Sequence, residues 1–470
     1  MAKKMMKALV LILCTVCSTY SVCAQEDNSK ARVFVLTDIN NEPDDEESLV
    51  RFLLYSNDYD VEGIVATTSC HLRKGTREDL IHKIIAAYGQ VRPNLLKHAD
   101  GYPTQQELEA VTTTGQKFYG LYDVGAGKST QGSSLLLQAA RKDDNRPLWV
   151  CVWGGANTLA QALSDARGEM SREDLDRIIH KLRVYSISDQ DDAGPWIRKE
   201  FPELFYIVGP SEADYYTYYT ATWNGISGDG HNQLGVNYHF NLVDNPWLEE
   251  NIIKNHGPLG ACYPPVEYIM EGDTPSFLGL INNGLGWNES PDFGGWGGRY
   301  VLYRPYGETR QIWTSNFFSR DKVEYEPGKF HTSNGATIWR WRDHFQYDFA
   351  ARMDWCIADS YQIANHNPIA VLNGDTSKKV LYIDAGGKKK IQLSAAGTSD
   401  PDNNAVNIKW WIYQEAGSAT GASLSKSEGK TTEVDLSNVR PEKGSVHVIL
   451  QVNDNGSPNL YSYRRAVIRL

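Results

Sequence analysis

Residues 33–45 read VFVLTDINNEPDD, and this stretch decides the class of fold. The apolar run VFVL predicts a short buried strand ending in Thr37 and Asp38, because continuous apolar runs of this length are typical of parallel sheets. Pro43, followed by acidic residues at 44–47, predicts the first turn of a helix, since proline suits that turn and acids favour the positive end of the helix dipole. The stretch therefore predicts a strand, a loop carrying carboxylates, and a helix.

The same alternation of strand and helix continues along the chain. Further strands are predicted at 61–67, 147–153 and 182–188, and further helices at 77–88 and 156–166. Strands that alternate with helices favour a mostly parallel sheet with helices on both of its faces. We therefore expect an open α/β fold for the first domain, residues 25–364.

Two later regions differ in composition from this α/β pattern. Residues 215–347 are rich in Gly, Asn, Trp and Tyr and predict long ordered loops, which often carry function. A helix at 341–364 is expected to close the domain. Residues 365–470 contain short alternating strands separated by turn residues, which predicts an immunoglobulin-like β-sandwich as the C-terminal domain.

Composition limits the class of partner and the compartment. The 470 residues carry a formal net charge of −11, which argues against nucleic acid as the main partner because phosphate binding needs a basic surface.

Residues 1–24 have the basic, apolar and small-residue order of a signal peptide, so we expect cleavage near Ala24 and export to the periplasm or the extracellular space. A lipid anchor at Cys23 is the less favoured alternative. No later segment predicts a membrane span, and the sequence leaves the oligomeric state open.

Carboxylates crowd the loop that follows the first predicted strand. Asp38, Asp44 and Asp45 lie at the carboxyl end of that strand, where open α/β sheets bind ligands. Crowded carboxylates repel one another and need a cation, a shared proton or exposure to water. Oxygen donors without His or Cys indicate Ca²⁺ or Mg²⁺ rather than zinc. The alternative is a solvated acidic helix N-terminus that binds nothing.

Residues 37–45 resemble the Asp-rich amino-terminal motif of the nucleoside hydrolases, in which a strand ends in Asp and an Asp-Asp pair begins the next helix. EGIVATTS at 62–69 looks like that family's second strand, VWGGANTL at 152–159 like its Gly-Gly loop, and EGDTP at 271–275 falls where the family has a late His-Asp pair. More closely, the chain resembles a bacterial exported family of nucleoside-hydrolase-like, cellulose-binding proteins. SDQDDAGPWI at 188–197 and the Gly- and Trp-rich segment around Trp296 carry this second resemblance, which covers nearly all of the chain after residue 24.

The resemblance implies a site as well as a fold. It implies a calcium ion held by Asp44, Asp45, Asp273 and the main-chain carbonyl of Trp153, with Asp38 as a further ligand and as the base that accepts a proton from the attacking water. Attack by a free water molecule predicts inversion at the anomeric carbon.

Two departures from the nucleoside hydrolase motif leave alternatives open. The gap before the Asp pair allows either Asp38 or Asn40 to face the ion. The late His is Gly272 here, so the acid that would protonate a nucleobase is missing, which argues toward an alcohol leaving group and an O-glycoside. Glu271 is the predicted substitute acid. Other candidate acids, each of which also suits a structural role, are Asp191, Asp192, His231 and His256.

Aromatic side chains in the loop-rich region suit the C–H face of a sugar, and they equally suit a core. The candidate rings are Trp196, Trp223, Trp247, Trp287, Trp296 and Tyr300. Trp296 is favoured because four glycines flank it, and the neighbouring Arg299 could bind a hydroxyl or carboxylate or join a surface ion pair. The predicted substrate-binding set is Asp44, Asp191, Asp192, Trp196, His231, Trp296 and Arg299, and the predicted catalytic set is Asp38, Asp45 and Glu271.

Three functions compete. The preferred one is an exported, calcium-dependent glycoside hydrolase that cleaves O-glycosidic bonds, furanosidic ones foremost, in polysaccharide-derived substrates. The second is a catalytically inert carbohydrate-binding (cellulose-binding) protein with the same fold. The third, a structural or adhesive surface protein, is least favoured. Four carboxylates around one cation favour the hydrolase, whereas the missing His favours the binding protein.

Overall fold

The computed structural model describes residues 30–40, 42–210, 221–228 and 235–470, without the side chains of Thr222 and Trp223. The predicted signal peptide (1–24), His231 and the ring of Trp223 lie outside the described residues. Within these ranges the chain forms an α/β domain followed by a β-sandwich.

An eight-stranded sheet forms the centre of the α/β domain. Its strands are β1 (Ala31–Thr37), β2 (Tyr59–Ala66), β3 (Thr112–Thr114), β4 (Leu148–Val152), β5 (Leu182–Ser186), β6 (Phe205–Ile207), β7 (Val301–Tyr303) and β8 (Ile312–Thr314). They lie side by side in the order β3-β2-β1-β4-β5-β6-β8-β7, and all neighbours pair in parallel except β7 and β8. The chain order reverses between β1 and β4, which makes the carboxyl ends of these strands a topological switch point.

Helices cover both faces of this sheet. They are α1 (Asp44–Leu54), α2 (Glu78–His98), α3 (Gln105–Ala110), α4 (Gln131–Arg141), α5 (Asn157–Glu169), α6 (Arg172–Lys181), α7 (Ala193–Glu200), α8 (Asn245–Leu248), α9 (Gly257–Gly260), α10 (Pro275–Leu278), α11 (Ala336–Trp339) and α12 (Arg342–Trp355). Because side chains alternate along a strand, Val33 and Val35 enter the apolar core shared with α1, α2 and α12, while Phe34 and Leu36 enter the core shared with α4 to α7.

The C-terminal domain is built from two sheets. After the hairpin of β9 (Asp321–Glu326) and β10 (Lys329–Ser333), its strands are β11 (Leu381–Asp384), β12 (Lys390–Ser394), β13 (Asn407–Ile412), β14 (Ser423–Leu424), β15 (Thr431–Asp435), β16 (Ser445–Asn453) and β17 (Tyr461–Arg469). One sheet has the order β11-β17-β16-β13 and the other β12-β15-β14. Leu393, Val434 and Leu450 from the two sheets share one apolar core, as expected for a sandwich.

The sandwich packs directly on the α/β domain. Tyr413, Ile449 and Tyr463 of the sandwich belong to the same apolar cluster as Trp296 and Phe345 of the α/β domain. The N–H group of Tyr463 also donates a hydrogen bond to the carbonyl of Asn283 (3.1 Å). A continuous core therefore joins the two domains.

The predicted fold class is confirmed, and three predictions about its elements are corrected. The helix predicted at 77–88 continues to His98 through Pro93, because Val91 and Leu95 extend its buried face and tertiary packing offsets the cost of the proline. The helix predicted at 341–364 ends at Trp355. The prediction of loops throughout 215–347 is wrong for β7 to β10. Among the described helices, none is both long enough and apolar enough to cross a membrane.

Candidate metal centre

The acidic loop lies at the switch point of the sheet. Asp38 directly follows β1, Trp153 directly follows β4, and these two strands are neighbours. Asp44 and Asp45 open α1, and Asp273 lies two residues before α10. Open α/β sheets bind ligands at this position, so the topology itself collects the predicted metal-binding residues.

Three buried carboxylates converge at this point. Asp44, Asp45 and Asp273 each offer one oxygen, and the three oxygens lie within 4.8 Å of one another. Oδ2 of Asp273, whose side chain is 1% exposed, has no hydrogen-bond partner among the described residues. A buried carboxylate oxygen without a donor is costly unless a cation or a proton compensates it.

The surroundings of the cluster disfavour ionisation of all three carboxyl groups at once. Burial raises the pKa of the Asp44, Asp45 and Asp273 carboxyl groups well above its usual value. Repulsion raises each pKa further, with Asp38 and Asp44 acting on Asp45, and Asp45 and Asp44 acting on Asp273. A divalent cation at this point would remove the repulsion and restore the ionised forms.

Asp38, rather than Asn40, adjoins the acidic cluster. Asp38 is buried, its carboxylate accepts a hydrogen bond from the hydroxyl of Ser69, and burial raises its pKa. A side chain at Gly154 would overlap this carboxylate, so the glycine makes room for it. Asn40 has a φ of 100°, is exposed, and accepts a hydrogen bond from Arg77 with its side-chain oxygen. Asp38 is therefore the residue of the two that adjoins the acidic cluster, and its role as a metal ligand stays a prediction.

Trp153 is buried with its carbonyl at the same edge of the sheet. The carbonyl accepts a hydrogen bond from Nε2 of Gln190 (2.9 Å), and the indole N–H donates to Oγ of Ser276 (2.9 Å). A carbonyl oxygen has a second lone pair, so the contact with Gln190 leaves one acceptor position. The role of this carbonyl as a metal ligand stays a prediction.

The donor set fits a hard divalent cation. Asp38, Asp44, Asp45 and Asp273 offer only carboxylate oxygens, which Ca²⁺ and Mg²⁺ prefer. The unpartnered Oδ2 of Asp273 can still accept a ligand contact. Oδ1 of Asp45 accepts a hydrogen bond from the hydroxyl of Thr37, which fixes the orientation of this carboxylate in the way that supporting groups orient metal ligands.

Glu271, the predicted substitute acid, is held in the core. Its carboxylate forms an ion pair with Nε of Arg51 (2.6 Å) and accepts hydrogen bonds from the hydroxyls of Tyr263 (2.8 Å) and Thr274 (2.7 Å). The side chain is 0% exposed. These three partners give Glu271 a structural role in this conformation, which does not favour the predicted role as a general acid.

Asp191 and Asp192 connect loops at the same edge of the sheet. Asp191 is buried and accepts hydrogen bonds from the N–H groups of Asn157 (3.0 Å) and Ala193 (3.0 Å), at the starts of α5 and α7, and burial raises its pKa to about 7. Asp192 is exposed and accepts a hydrogen bond from the N–H of Leu121 (2.8 Å). Both residues thus position main chain, and direct contact with a substrate stays a prediction.

The structure corrects the predicted sugar contacts of Trp296 and Arg299. Trp296 is 2% exposed, and its indole N–H lies 3.4 Å from the hydroxyl of Tyr463 in the sandwich, so no ligand can stack on its ring in this conformation. Arg299 is buried in an ion pair with Asp321 (2.7 Å). The glycines that flank Trp296 allow close packing rather than access.

The remaining candidates are spread over the domain. Trp196 is half-buried and packs against Phe201 (5.8 Å between ring centroids), so its predicted contact with sugar stays untested. Trp287 and Tyr300 are buried, and Trp247 is half-buried against the same core. His256 is buried beside Asp354, with 3.2 Å between Nε2 and Oδ1, and is not among the residues whose ligand atoms converge in the acidic cluster.

Sequence reasoning missed the polar residues that support the carboxylates. Thr37 and Ser69 bind Asp45 and Asp38, and Glu47 is fully buried with Oε2 accepting the N–H of Glu271 (2.8 Å). Burial raises the pKa of Glu47 well above its usual value. The sequence carries a signal for the two hydroxyls, since Thr37 ends β1 and Ser69 lies three residues after the neighbouring strand β2, at the edge of the sheet that carries the acidic loop.

A mostly parallel sheet with a buried acidic cluster at its switch point, joined to a C-terminal β-sandwich, defines a nucleoside hydrolase-like class of protein. Residues 32–300 match the family described as cellulose-binding Sde182, nucleoside hydrolase-like domain, and residues 390–470 match cellulose-binding protein Sde0182, C-terminal domain. The first match spans more than half of the chain. The chain therefore belongs to the Sde182 family of nucleoside hydrolase-like proteins.

A solved structure agrees with this assignment. A nucleoside hydrolase-related hypothetical protein from Saccharophagus degradans that is associated with carbohydrate metabolism is 37% identical, with a TM-score of 0.80 over 94% of this chain and 99% of its own. The effector proteins XOO4466 and XopQ, the latter complexed with adenosine diphosphate ribose, align over 70% of this chain and 94% and 95% of theirs. Their identities are 12% and 13%, and their TM-scores of 0.33 and 0.30 are too low to bear on the fold. No curated protein matches the chain.

Proposed function

We propose that this protein is an exported glycoside hydrolase of the nucleoside hydrolase-like type, which hydrolyses O-glycosidic bonds in polysaccharide-derived substrates, furanosides foremost, with the help of Ca²⁺. The observation that supports the proposal is the buried set Asp38, Asp44, Asp45 and Asp273 at the switch point, in which one oxygen has no partner among the described residues. Burying four mutually repelling carboxylates is costly, and a bound divalent cation would offset this cost.

In this proposal three of the carboxylates bind the ion and the fourth acts as the general base. Asp44, Asp45 and Asp273 would hold Ca²⁺, which when bound lowers the pKa of water and orients the hydroxyl groups of a sugar. Asp38 accepts the proton of the attacking water through the oxygen that Ser69 does not bind. Attack by a free water molecule predicts inversion of configuration at the anomeric carbon.

The relatives and the N-terminal sequence support the proposed substrate class and compartment. The family is described as cellulose-binding, and the relative from Saccharophagus degradans is associated with carbohydrate metabolism. A glycan outside the cytoplasm is the ligand that suits both descriptions and the predicted signal peptide at residues 1–24. We therefore propose that the protein acts in the periplasm or the extracellular space.

A second candidate function is glycan binding without hydrolysis. Gly272 stands where the nucleoside hydrolases have their acid, and the neighbouring Glu271 is fixed by its ion pair with Arg51 (2.6 Å). No other described acid is assigned to the leaving group by the geometry. In this alternative the cluster binds Ca²⁺ and shapes a sugar site, and the glycosidic bond is not cleaved.

Calorimetry with Ca²⁺ tests the metal centre. The chain from residue 25 onward, freed of metal with a chelator, should bind one Ca²⁺, and Asp45→Asn should weaken binding at least tenfold because it keeps the volume and removes a charged ligand. Asp176→Asn, in the exposed part of α6, is the matched control and should bind as the wild type does. Absence of binding to the wild type would remove the metal from the mechanism.

Hydrolysis assays then separate the two functions. With furanosidic oligosaccharides and Ca²⁺ present, NMR should show release of the inverted sugar, and Asp38→Asn should lower kcat at least about a hundredfold because it removes the base. A wild-type protein that binds both Ca²⁺ and glycan but cleaves none of the furanosidic, cellulosic or xylan substrates would establish the non-catalytic alternative.

A further inference from the structure

The loop at residues 115–128, between β3 and α4, lies beside the acidic cluster. The carbonyl of Phe118 in this loop accepts hydrogen bonds from Oγ1 of Thr68 (3.2 Å) and Nδ2 of Asn157 (2.9 Å). Thr68 is followed in the chain by Ser69, whose hydroxyl binds Asp38. Thr68 thus contacts the loop and the next residue, Ser69, contacts Asp38 beside the cluster, so the loop forms part of the rim of the candidate site.

Side chains clamp the main chain of this loop at several points. The carboxylate of Asp123 accepts the N–H groups of Lys117 (3.0 Å) and Phe118 (3.1 Å). Nε2 of Gln116, a fully buried residue, donates to the carbonyls of Asp123 (2.7 Å) and Lys128 (2.9 Å). Asp192 accepts the N–H of Leu121, as described above. These bonds fix the loop before any ligand arrives, which lowers the entropy cost of binding.

The clamped loop presents two aromatic rings to solvent. Phe118 is 43% exposed and Tyr122 is 77% exposed. Their ring centroids are 6.1 Å apart at an interplanar angle of 79°, and Nζ of Lys128 lies 5.3 Å from the centroid of the Tyr122 ring. Large exposed aromatic side chains on a rigid loop lose little conformational freedom when a ligand packs on them, and their faces suit the C–H faces of a sugar.

We propose that Phe118 and Tyr122 form a platform that binds a neutral glycan chain whose terminal sugar enters the acidic cluster. This inference rests on the proposed function, and it adds a site for the part of the substrate that does not react. The two rings offer apolar faces and one hydroxyl group, which suit a neutral glycan. Two rings bury at most about 500 Å², well below the roughly 800 Å² per partner of a stable protein interface, which favours a glycan over a protein as the occupant.

A second exposed aromatic pair offers a matched comparison. Phe317 and Phe318 follow β8, are 75% and 67% exposed, and have ring centroids 5.7 Å apart at 88°. The two pairs share chemistry and geometry, but only Phe118 and Tyr122 lie on a loop bonded to the residues around the cluster. A general effect of exposed aromatic rings on glycan adsorption would involve both pairs equally.

Depletion of the protein from solution by microcrystalline cellulose, and calorimetry with a soluble cello-oligosaccharide, test the platform. The full chain with Phe118→Ala and Tyr122→Ala should bind both probes at least tenfold more weakly, with its Ca²⁺ affinity and Tm unchanged because the rings are exposed. Tyr122→Phe, which keeps the stacking face, should bind as the wild type does. The pair Phe317→Ala and Phe318→Ala should retain binding.

The results of these experiments test the platform and the proposed function independently. Unchanged glycan binding after loss of Phe118 and Tyr122, or equal losses from both aromatic pairs, would overturn the platform and leave the calcium test of the cluster standing. Glycan binding that depends on Phe118 and Tyr122 in a protein that binds no Ca²⁺ would support the platform and overturn the calcium-dependent hydrolase.

Discussion

Gly272 and Asp44 occupy adjoining space in the acidic cluster. A Cβ atom at residue 272 would lie 2.5 Å from Oδ2 of Asp44 and 2.8 Å from Cδ1 of Ile269, so any side chain there must displace the carboxylate. We predict that Gly272→Ala lowers Ca²⁺ affinity at least tenfold in calorimetry, because Asp44 leaves its position near Asp45 and Asp273. The Tm of the metal-free protein should change little, since the displaced atom is the end of a side chain.

Gly168 provides the control for this substitution. It lies exposed in α5 with no atom within 4 Å of a Cβ placed there, so Gly168→Ala should leave Ca²⁺ affinity unchanged and add up to about 1 kcal/mol of stability through helix propensity. Wild-type Ca²⁺ affinity in Gly272→Ala would show that Asp44 does not contribute to the metal centre.

At the scale of single residues, the sequence predicts which carboxylates lie close together better than it predicts the hydrogen-bond and ion-pair partners of buried side chains. Asp38, Asp44 and Asp45 lie close together because they follow β1 at the carboxyl edge of the sheet, as the pattern of strands implies. Asp273, two residues before α10, is expected there only from the family resemblance. The position of Glu271 was not predictable, since its ion-pair partner Arg51 is 220 residues away in the chain. Trp296 was misassigned for the same reason: the residue that covers it, Tyr463, lies in the other domain.

The last strand, β17, anchors the sandwich to the α/β domain. Nε of Arg465 donates to the carbonyl of Leu285 (2.6 Å) and Nη2 donates to that of Gly294 (2.9 Å), and all of these groups are buried. We predict that Arg465→Met destabilises the protein by about 2–4 kcal/mol, because two buried carbonyls lose their donors. The substitution also removes a buried positive charge, and this offsets part of the loss. Burial disfavours that charge, as shown by the pKa of Arg465, which burial lowers to about 10. Urea unfolding measures the difference.

Arg469 on the same strand is the matched control for Arg465. Its side chain is 56% exposed, and its Nη1 lies 4.0 Å from Oδ1 of Asp384, itself exposed. Arg469→Met should therefore change the free energy of unfolding by less than about 1 kcal/mol. Equal effects of the two substitutions would contradict the anchoring role of Arg465.

Among whole elements, the buried parallel strands were the most predictable. Strands β1, β2, β4 and β5 form within about two residues of their predicted bounds, because each is a short apolar run flanked by turn residues. Strands β7 to β10 were not predicted, since exposed residues such as Leu302 and Phe330 give them neither an apolar run nor a clean alternation. The end of α12 at Trp355 also depends on tertiary contacts, here a hydrogen bond from the indole of Trp355 to the carbonyl of Asn365 (2.9 Å).

For the whole molecule, the contact between the domains contains buried histidines. His344 of α12 stacks on the ring of Tyr461 (3.7 Å between centroids, 21°) and is hydrogen-bonded to the hydroxyl of Tyr463. Burial lowers the pKa of His344 to about 4, although the neighbouring Asp343 favours protonation and Arg340, His239 and Lys409 oppose it. Burial likewise lowers the pKa of His447 in β16 to about 3.

Because these histidines are buried, we predict that the folded protein becomes less stable as the pH decreases. Between pH 6.5 and about 4 the unfolded chain protonates His344 while the folded protein does not, so the free energy of unfolding falls as the pH decreases through this range. At about 1.4 kcal/mol per pKa unit, His344 contributes roughly 3 kcal/mol to the fall. His344→Gln, which can still accept a hydrogen bond from Tyr463 but does not titrate, should show a shallower decrease in urea unfolding with a chelator present. His180→Gln, at an exposed position in α6, should keep the wild-type slope, and equal slopes for His344→Gln and the wild type would place the acid sensitivity elsewhere.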